Sequence, residues 1–167
     1  MKYVLSPDGY VAAWEHPDAQ ATKSAHQATV RTPIMTALTL NEAKALIVSA
    51  EKRADEIGQP VNIAVVDAGG NLVAHVRQDG AWIGGVDISI NKAWTSRAFD
   101  IQTKDLGENS QPNRQFYGIH ATNGGRVIIF AGGVPLKRDG VVVGGLGVSG
   151  GSGEQDQTVA EAGLAAL

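Results

Sequence analysis

Residues 141–151 read VVVGGLGVSGG, a run in which three valines lead into glycines that alternate with leucine and valine. Because β-branched residues favour extended backbone, the run predicts a long strand over Val141 to Ser149. Twelve of the 21 glycines lie between Gly118 and Gly153. A glycine leaves room beside its backbone, so we expect this strand to pass close to a neighbouring backbone or to a ligand.

Length and composition restrict the class of protein. The chain has 167 residues, 43% of them hydrophobic, no cysteine and a formal net charge of −3. This is the size of one domain and is large enough for a core without disulfides. No apolar run approaches the roughly 18 residues of a membrane span, and no basic stripe carries interleaved aromatic residues. We therefore expect a globular protein that binds neither membranes nor nucleic acid.

Secondary-structure signals predict an alternation of strands and helices. Thr39 with Glu42, and Ser152 with Gln155, have the spacing of helix capping boxes. The predicted helices cover about 38–58, 83–101 and 152–167, and the predicted strands cover 61–67, 72–77, 126–131, 134–137 and 141–149. Hairpins separated by helices are typical of an α+β fold with an antiparallel sheet and helices on its faces.

The first 34 residues differ from the rest of the chain. They are largely polar, have no sustained hydrophobic period, and contain His16 and His26. We interpret residues 1–34 as an arm or extension that lies on the domain of residues 35–167 or on a neighbouring subunit, with disorder as the alternative. The apolar start of the chain ends at Ser6-Pro7, too early for a signal peptide, so we expect a cytoplasmic protein.

Two motifs that look catalytic fail in their context, and a zinc site finds no support either. Gly145 to Gly150 matches a dinucleotide-binding fingerprint, but no second parallel strand or acidic ribose partner can follow before Leu167. Gly147 to Gly151 matches a nucleophile elbow, but no histidine follows His120 to complete a triad. The histidines also lack the short spacing of a preformed zinc site.

The strand 72–77 carries the first candidate site. His75 and Arg77 share one of its faces and lie next to Asp79. This face is either solvated, or it is a pocket wall that places a base or a ligand beside a cation.

Three other places are candidates for function. His120 follows Phe116-Tyr117 in a predicted loop, where it is either a functional group or a surface residue. Lys92, Ser96 and Phe99 form a mixed face on the second helix, and we expect this face to be exposed to solvent. Gly132, Gly133 and Pro135 predict an irregular backbone whose amides point at a ligand, although packing against the second helix explains it equally well.

Several stretches together resemble the GlcG/HbpS family, whose domain also forms the C-terminus of PduO-type corrinoid adenosyltransferases. They are Ile63–Leu72, Arg77–Gly80, Lys92-Ala93 with Thr95, Asn123–Arg126, Gly132–Leu136, Asp139-Gly140, and Gly144–Gly150 with Gln155-Asp156. The resemblance covers about Met35 to Leu167.

This resemblance implies a profilin-like fold, in which a five-stranded antiparallel sheet lies between helical layers, and homo-oligomers. It also implies haem binding, or a place beside corrinoid and glycolate metabolism. Some members carry a histidine near the first helix, but this chain has none between Thr39 and Gly58. His75 or His120 is therefore the axial candidate for haem, with Tyr117 behind them.

Three hypotheses follow. The leading one is a homo-oligomeric binding protein whose pocket takes haem or another planar organic ligand, with candidate ligand contacts at Arg77, Asp79, Tyr117, Gly132, Gly133 and Pro135. The second is a cofactor-free enzyme acting on a small organic acid, with His75 or His120 as general acid or base and Arg77 or Lys92 holding a carboxylate or enolate. The third is an accessory protein that stabilises a partner enzyme through its N-terminal arm.

Overall fold

The structure is a computed structural model that describes residues 3–5, 11–14 and 37–167. The chain divides into two units, Met1–Ile34 and Met35–Leu167. In the first unit, strands β1 (Tyr3–Leu5) and β2 (Val11–Trp14) pair antiparallel. His16 and His26 lie outside the described residues, as does most of the predicted arm, and the role of this arm stays a prediction.

The second unit contains four helices and four strands. They are α1 (Leu40–Ile57), β3 (Asn62–Asp67), β4 (Leu72–Arg77), α2 (Gly85–Ala98), α3 (Thr103–Glu108), β5 (Gly133–Arg138), β6 (Val141–Ser149) and α4 (Gly153–Leu164), with short 3₁₀ turns at Ile119–Ala121 and Asn123–Gly125. Both predicted capping boxes are confirmed, at the starts of α1 and α4. None of the described helices is long and apolar enough to cross a membrane.

The four strands form one antiparallel sheet in the order β4-β3-β6-β5. The register places Ala64 of β3 opposite His75 of β4 on one side and opposite Gly147 of β6 on the other. The predicted α+β class with an antiparallel sheet and helices is therefore confirmed, while the sheet of residues 37–167 has four strands rather than the expected five.

The strand predicted over 126–131 is the one that does not form. The backbone amide of Ile128 donates to Thr95 Oγ1 of α2 at 3.0 Å. The carbonyl of Ile129 lies against Gly107 of α3, so close that a Cβ there would clash. The segment is thus bonded to α2 and packed against α3, and it does not pair at the sheet edge.

Helices cover both faces of the sheet. Leu46 and Ala50 of α1 and Val159 of α4 pack with a buried apolar set on one face, namely Ile63, Val65, Val134, Leu136, Leu146 and Val148. On the other face, Ala93 of α2 packs against Ala64 and Val66 of β3. The main core therefore lies between the sheet and the two helices α1 and α4, and α2 forms a third layer on the opposite face of the sheet.

The glycines of β6 determine how closely α2 approaches the sheet. A Cβ on Gly145 would lie less than 3.0 Å from the carbonyl oxygen of Ala93, and one on Gly147 less than 3.0 Å from that of Ser89. The space left by these glycines is thus filled by the backbone of α2. Of the two expectations for this strand, a neighbouring backbone or a ligand, the structure shows the backbone.

This close approach also inverts the face predicted for α2. Lys92 and Ser96, which we expected to be exposed, are fully buried, and Phe99 is 39% exposed. The helix rests on its small and polar residues because Gly145, Gly147 and Ala64 leave little volume beneath them. The apolar residues Val86, Ile90 and Trp94 remain partly exposed.

We predict that Gly147→Ala lowers the free energy of unfolding by about 1–3 kcal/mol or more, because the new methyl group meets a helix backbone that cannot rotate away. Gly84→Ala is the matched control, since a Cβ on Gly84 has nothing within 4 Å and its φ is −65°. We expect the control to change stability by less than about 0.5 kcal/mol in urea denaturation. Equal losses for the two variants would contradict this account of the glycines.

Candidate functional site

Lys92 lies at the centre of a buried polar network between α2 and the end of β6. Its side chain is fully buried, and Nζ donates to the carbonyl oxygen of Val148 at 2.8 Å and to Asp156 Oδ2 at 2.7 Å. The Phe130 ring centroid lies 4.8 Å from Nζ. Two hydrogen bonds to oxygen and one cation–π contact therefore hold the ammonium group.

Asp156 completes the network from the first turns of α4. Its Oδ1 accepts hydrogen bonds from the amides of Gly150 and Gly151 at 3.0 and 2.9 Å. Burial lowers the pKa of Lys92, and the facing carboxylate of Asp156 opposes that shift. The pair therefore ties α2, the end of β6 and α4 together, and the fully buried ammonium of Lys92 is already paired with a carboxylate.

The double glycine belongs to the same network. Gly132 has φ +110°, and a Cβ there would lie 2.8 Å from Lys92 Nζ. Its amide donates to Gln157 Oε1 at 3.0 Å, and the amide of Gly133 donates to Thr103 Oγ1 at 2.9 Å. Both amides are thus bonded to side chains within the protein, and of the two explanations for this backbone the structure favours close packing around Lys92.

His75 is a half-buried group on the face of β4 that is directed towards α2. The hydroxyl of Ser89 donates to the carbonyl of Val86 at 2.9 Å and lies 3.3 Å from His75 Nε2. Which of these two atoms donates depends on the tautomer of the ring, and the neutral imidazole carries one N–H group and one lone pair. Burial lowers the pKa of His75, which favours this neutral form at neutral pH.

His120 has the opposite environment. It is exposed on the first 3₁₀ turn, Ile119–Ala121, and the preceding residues Phe116 and Tyr117 are 42% and 67% exposed. No described side chain bonds to the His120 ring. This segment presents an imidazole and two aromatic rings to solvent.

Arg77 and Asp79 line an open cleft of about 600 Å³ between the end of α1 and the end of β4. The facing wall carries Glu51 and Asp55, and Gln78 Nε2 donates to Asp55 Oδ1 at 3.0 Å. Arg77 shares the α2-facing side of the sheet with His75, since they lie opposite Asn62 and Ala64. The predicted common face of His75 and Arg77 is therefore present.

A smaller cleft of about 420 Å³ lies beside β5, where Pro135 and Lys137 meet Leu164 of α4. The predicted site residues are thus distributed over four places: the Lys92 network with Gly132 and Gly133, the His75 face with Arg77 and Asp79, the His120 segment with Tyr117, and this cleft with Pro135. Within residues 37–167, no group of three His, Asp or Glu side chains is placed to hold a metal ion.

Sequence reasoning missed two members of the Lys92 network, Asp156 and Phe130. Asp156 follows the capping box of α4 directly and is 64 residues from Lys92. The available signal was a lysine surrounded by small residues on a helix next to a glycine-rich strand. Such a lysine can be buried only with an acidic partner.

Comparison with known proteins places these features in a family. A family model described as haem degrading protein HbpS-like matches residues 38–165. An uncharacterized 15.0 kDa protein from the dhaT-dhaS intergenic region of Citrobacter freundii is 42% identical over 127 residues, which cover 76% of this chain and 89% of that protein.

Two further similarities concern PduO. The corrinoid adenosyltransferase PduO of Salmonella typhimurium is 35% identical over 158 residues, which cover 95% of this chain but 44% of PduO. The chain thus spans less than half of that relative. The crystal structure of a PduOC:heme complex is 37% identical with a TM-score of 0.76, covering 78% of this chain and 95% of that one.

We predict that Lys92→Met lowers the free energy of unfolding by about 3–5 kcal/mol, because it leaves the carboxylate of Asp156 buried without its counter-ion. The double variant Lys92→Met/Asp156→Asn should be more stable than Lys92→Met alone, since an amide oxygen still accepts from Gly150 and Gly151 and carries no charge. Urea denaturation of the two variants and of Asp156→Asn gives the coupling. Strictly additive losses would show that the pair is not coupled.

We also predict that His75 makes the fold sensitive to mild acid. Because burial lowers the pKa of His75 in the folded state, the unfolded chain takes up the proton first as pH falls through about 6.5. The free energy of unfolding should therefore decrease from about pH 7 to pH 5, and His75→Gln should reduce this decrease. The control is urea denaturation between pH 7.5 and 8.5, where the free energy of unfolding should depend on pH equally in the wild-type protein and in His75→Gln. An unchanged slope between pH 7 and 5 in His75→Gln would contradict the prediction.

Proposed function

This chain belongs to the HbpS-like family, and on that premise we propose that it binds haem or a related planar tetrapyrrole. The observation that carries the proposal is the similarity to a PduOC domain whose structure was determined with haem. A homo-oligomer, which the family resemblance implies, and a cytoplasmic location, which the start of the sequence favours, are part of the same proposal.

The surface of the domain supports a large flat ligand. Trp82, Ile83 and Tyr117 are 71%, 79% and 67% exposed, which is unusual for side chains of this size. A porphyrin ring buries apolar area on both of its faces, and aromatic side chains provide such area at a low entropic cost. A contiguous exposed apolar patch marks a binding surface, and Trp82-Ile83 and Phe116-Tyr117 are each an exposed apolar pair in the sequence.

We assign the axial ligand to His120. The Nε2 atom of His75 is turned inward onto Ser89, so only Nδ1 is available to a ligand. Nδ1 lies next to the ring carbon that bears the side chain, and a macrocycle approaching it would collide with Cβ. His120 is exposed and follows two exposed aromatic residues, which suits the steric need of a porphyrin.

His75 supports a second candidate function, general-base catalysis on a small organic acid. The contact with Ser89 holds the imidazole in place, and the lone pair of the neutral ring is what accepts a proton. Arg77 on the same face would hold a carboxylate. In this alternative Lys92 has only a structural role.

The haem proposal predicts a saturable shift of the Soret band at about one equivalent of hemin. His120→Ala should shift the band position and weaken binding about tenfold or more, whereas His75→Ala should leave the band position unchanged. Loose, unsaturable binding that neither substitution alters would refute haem binding. A loss confined to His75→Ala would instead refute the assignment of His120.

A further inference from the structure

Arg126 is held rigidly against the outer face of α2. Its guanidinium carbon lies 4.4 Å from the ring centroid of Trp94, so the cation stacks on the indole. Its Nε donates to Asn91 Oδ1 at 3.2 Å. The backbone beside it is also fixed, because Thr95 Oγ1 bonds to the carbonyl of Arg126 and to the amide of Ile128.

Asn91 fixes the direction of this side chain. Asp87, Asn91 and Trp94 lie at i, i+4 and i+7 on one face of α2. Asn91 Nδ2 donates to Asp87 Oδ2 at 2.9 Å, which turns the amide oxygen towards Arg126. Asp87 is therefore bonded to the amide and does not neutralise the guanidinium directly.

Trp94 is itself immobilised. A Cβ on Gly70 in the β3–β4 turn would lie 2.9 Å from Trp94 Cδ1, so this turn packs against the indole. Phe99 contacts the ring edge-on at a centroid distance of 6.5 Å. The platform beneath Arg126 is thus built into the fold.

The charge of Arg126 has no counter-ion among the described residues. Within 37–167, the carboxylate partners of Arg53, Arg97 and Arg138 are Glu56, Asp100 and Glu42, but no carboxylate lies within 4.0 Å of Arg126. Its two Nη groups donate to no described atom either. A half-buried guanidinium whose Nε and plane are fixed, and whose outer fork is unused, has the geometry that binds a carboxylate in bidentate fashion.

We propose that Arg126 is a carboxylate-binding residue and that it holds a propionate group of the tetrapyrrole. The second part rests on the proposed function. The sequence places Arg126 six residues after His120, at the point where the exposed segment returns to α2. One segment therefore supplies both the axial ligand and the carboxylate clamp, while Trp94 and Phe99 provide aromatic surface beside the clamp.

The carboxylate site can be tested without any tetrapyrrole. Protein labelled with ¹⁵N-arginine is titrated with sodium benzoate, and the Nε–Hε signals are followed by NMR, with Arg126 assigned by its loss in Arg126→Gln. We expect the Arg126 signal to move saturably and the signal of the exposed Arg114 to move little. Equal movement of the two signals would overturn the proposal.

The propionate contact is tested with hemin and hemin dimethyl ester, in which both carboxylates are blocked. Arg126→Gln should weaken hemin binding about tenfold and binding of the ester less than about twofold, because one charge-assisted contact is lost only with the free acid. The hemin affinity of Arg126→Lys should lie between those of the wild-type protein and Arg126→Gln, since lysine keeps the charge but cannot form two parallel hydrogen bonds. Arg114→Gln is the matched control and should resemble the wild-type protein.

The outcomes separate the two proposals. If Arg126→Gln weakens hemin and its ester equally, Arg126 has a structural role and the propionate contact is wrong. If the wild-type protein binds neither compound, the proposed function fails, and the benzoate titration still decides whether Arg126 binds carboxylates.

Discussion

The close contact between α2 and β6 is the constraint on which the rest of the domain depends. It exists because Gly145 and Gly147 present no side chain on the α2-facing side of the sheet. The carbonyls of α2 then lie directly on the strand, and Lys92 reaches the end of β6 and the start of α4. A larger residue at either glycine would separate the layers and move the buried ammonium away from its carboxylate.

Local signals in the sequence predicted the elements well, and non-local contacts account for the errors. Capping boxes and hairpin turns depend on residues a few positions apart, so Thr39 and Ser152 identify real helix starts. The segment 126–131 has strand composition, but the amide of Ile128 bonds to Thr95 of α2 and the carbonyl of Ile129 packs against Gly107 of α3, which no local pattern reports. Apolar periodicity predicted the wrong buried face for α2. The buried face is decided by the glycines of β6, which leave space for small and polar residues, and a pattern within α2 does not show this.

The difference between local patterns and non-local contacts also explains how much of the candidate site could be predicted. Alternation along β4 was enough to place His75 and Arg77 on a common face. It could not reveal that Ser89 turns the imidazole inward, because that contact depends on the distance between α2 and the sheet. The clamp at Arg126 was likewise hidden, since its parts come from α2, the β3–β4 turn and a loop.

The exposed segment 111–125 has few connections to the sheet and to the helices that cover it. All of the hydrogen bonds that its described atoms make end on residues 107–126, so none of them crosses to the sheet. The layered part, in contrast, is crosslinked by a buried ion pair. Amides of β6 and α2 should therefore open only in a cooperative event, whereas 111–125 can rearrange at little energetic expense to the core. Residues 37–167 thus combine a crosslinked frame with a segment whose hydrogen bonds stay local, and a surface of this kind accommodates ligands of slightly different shape without unfolding.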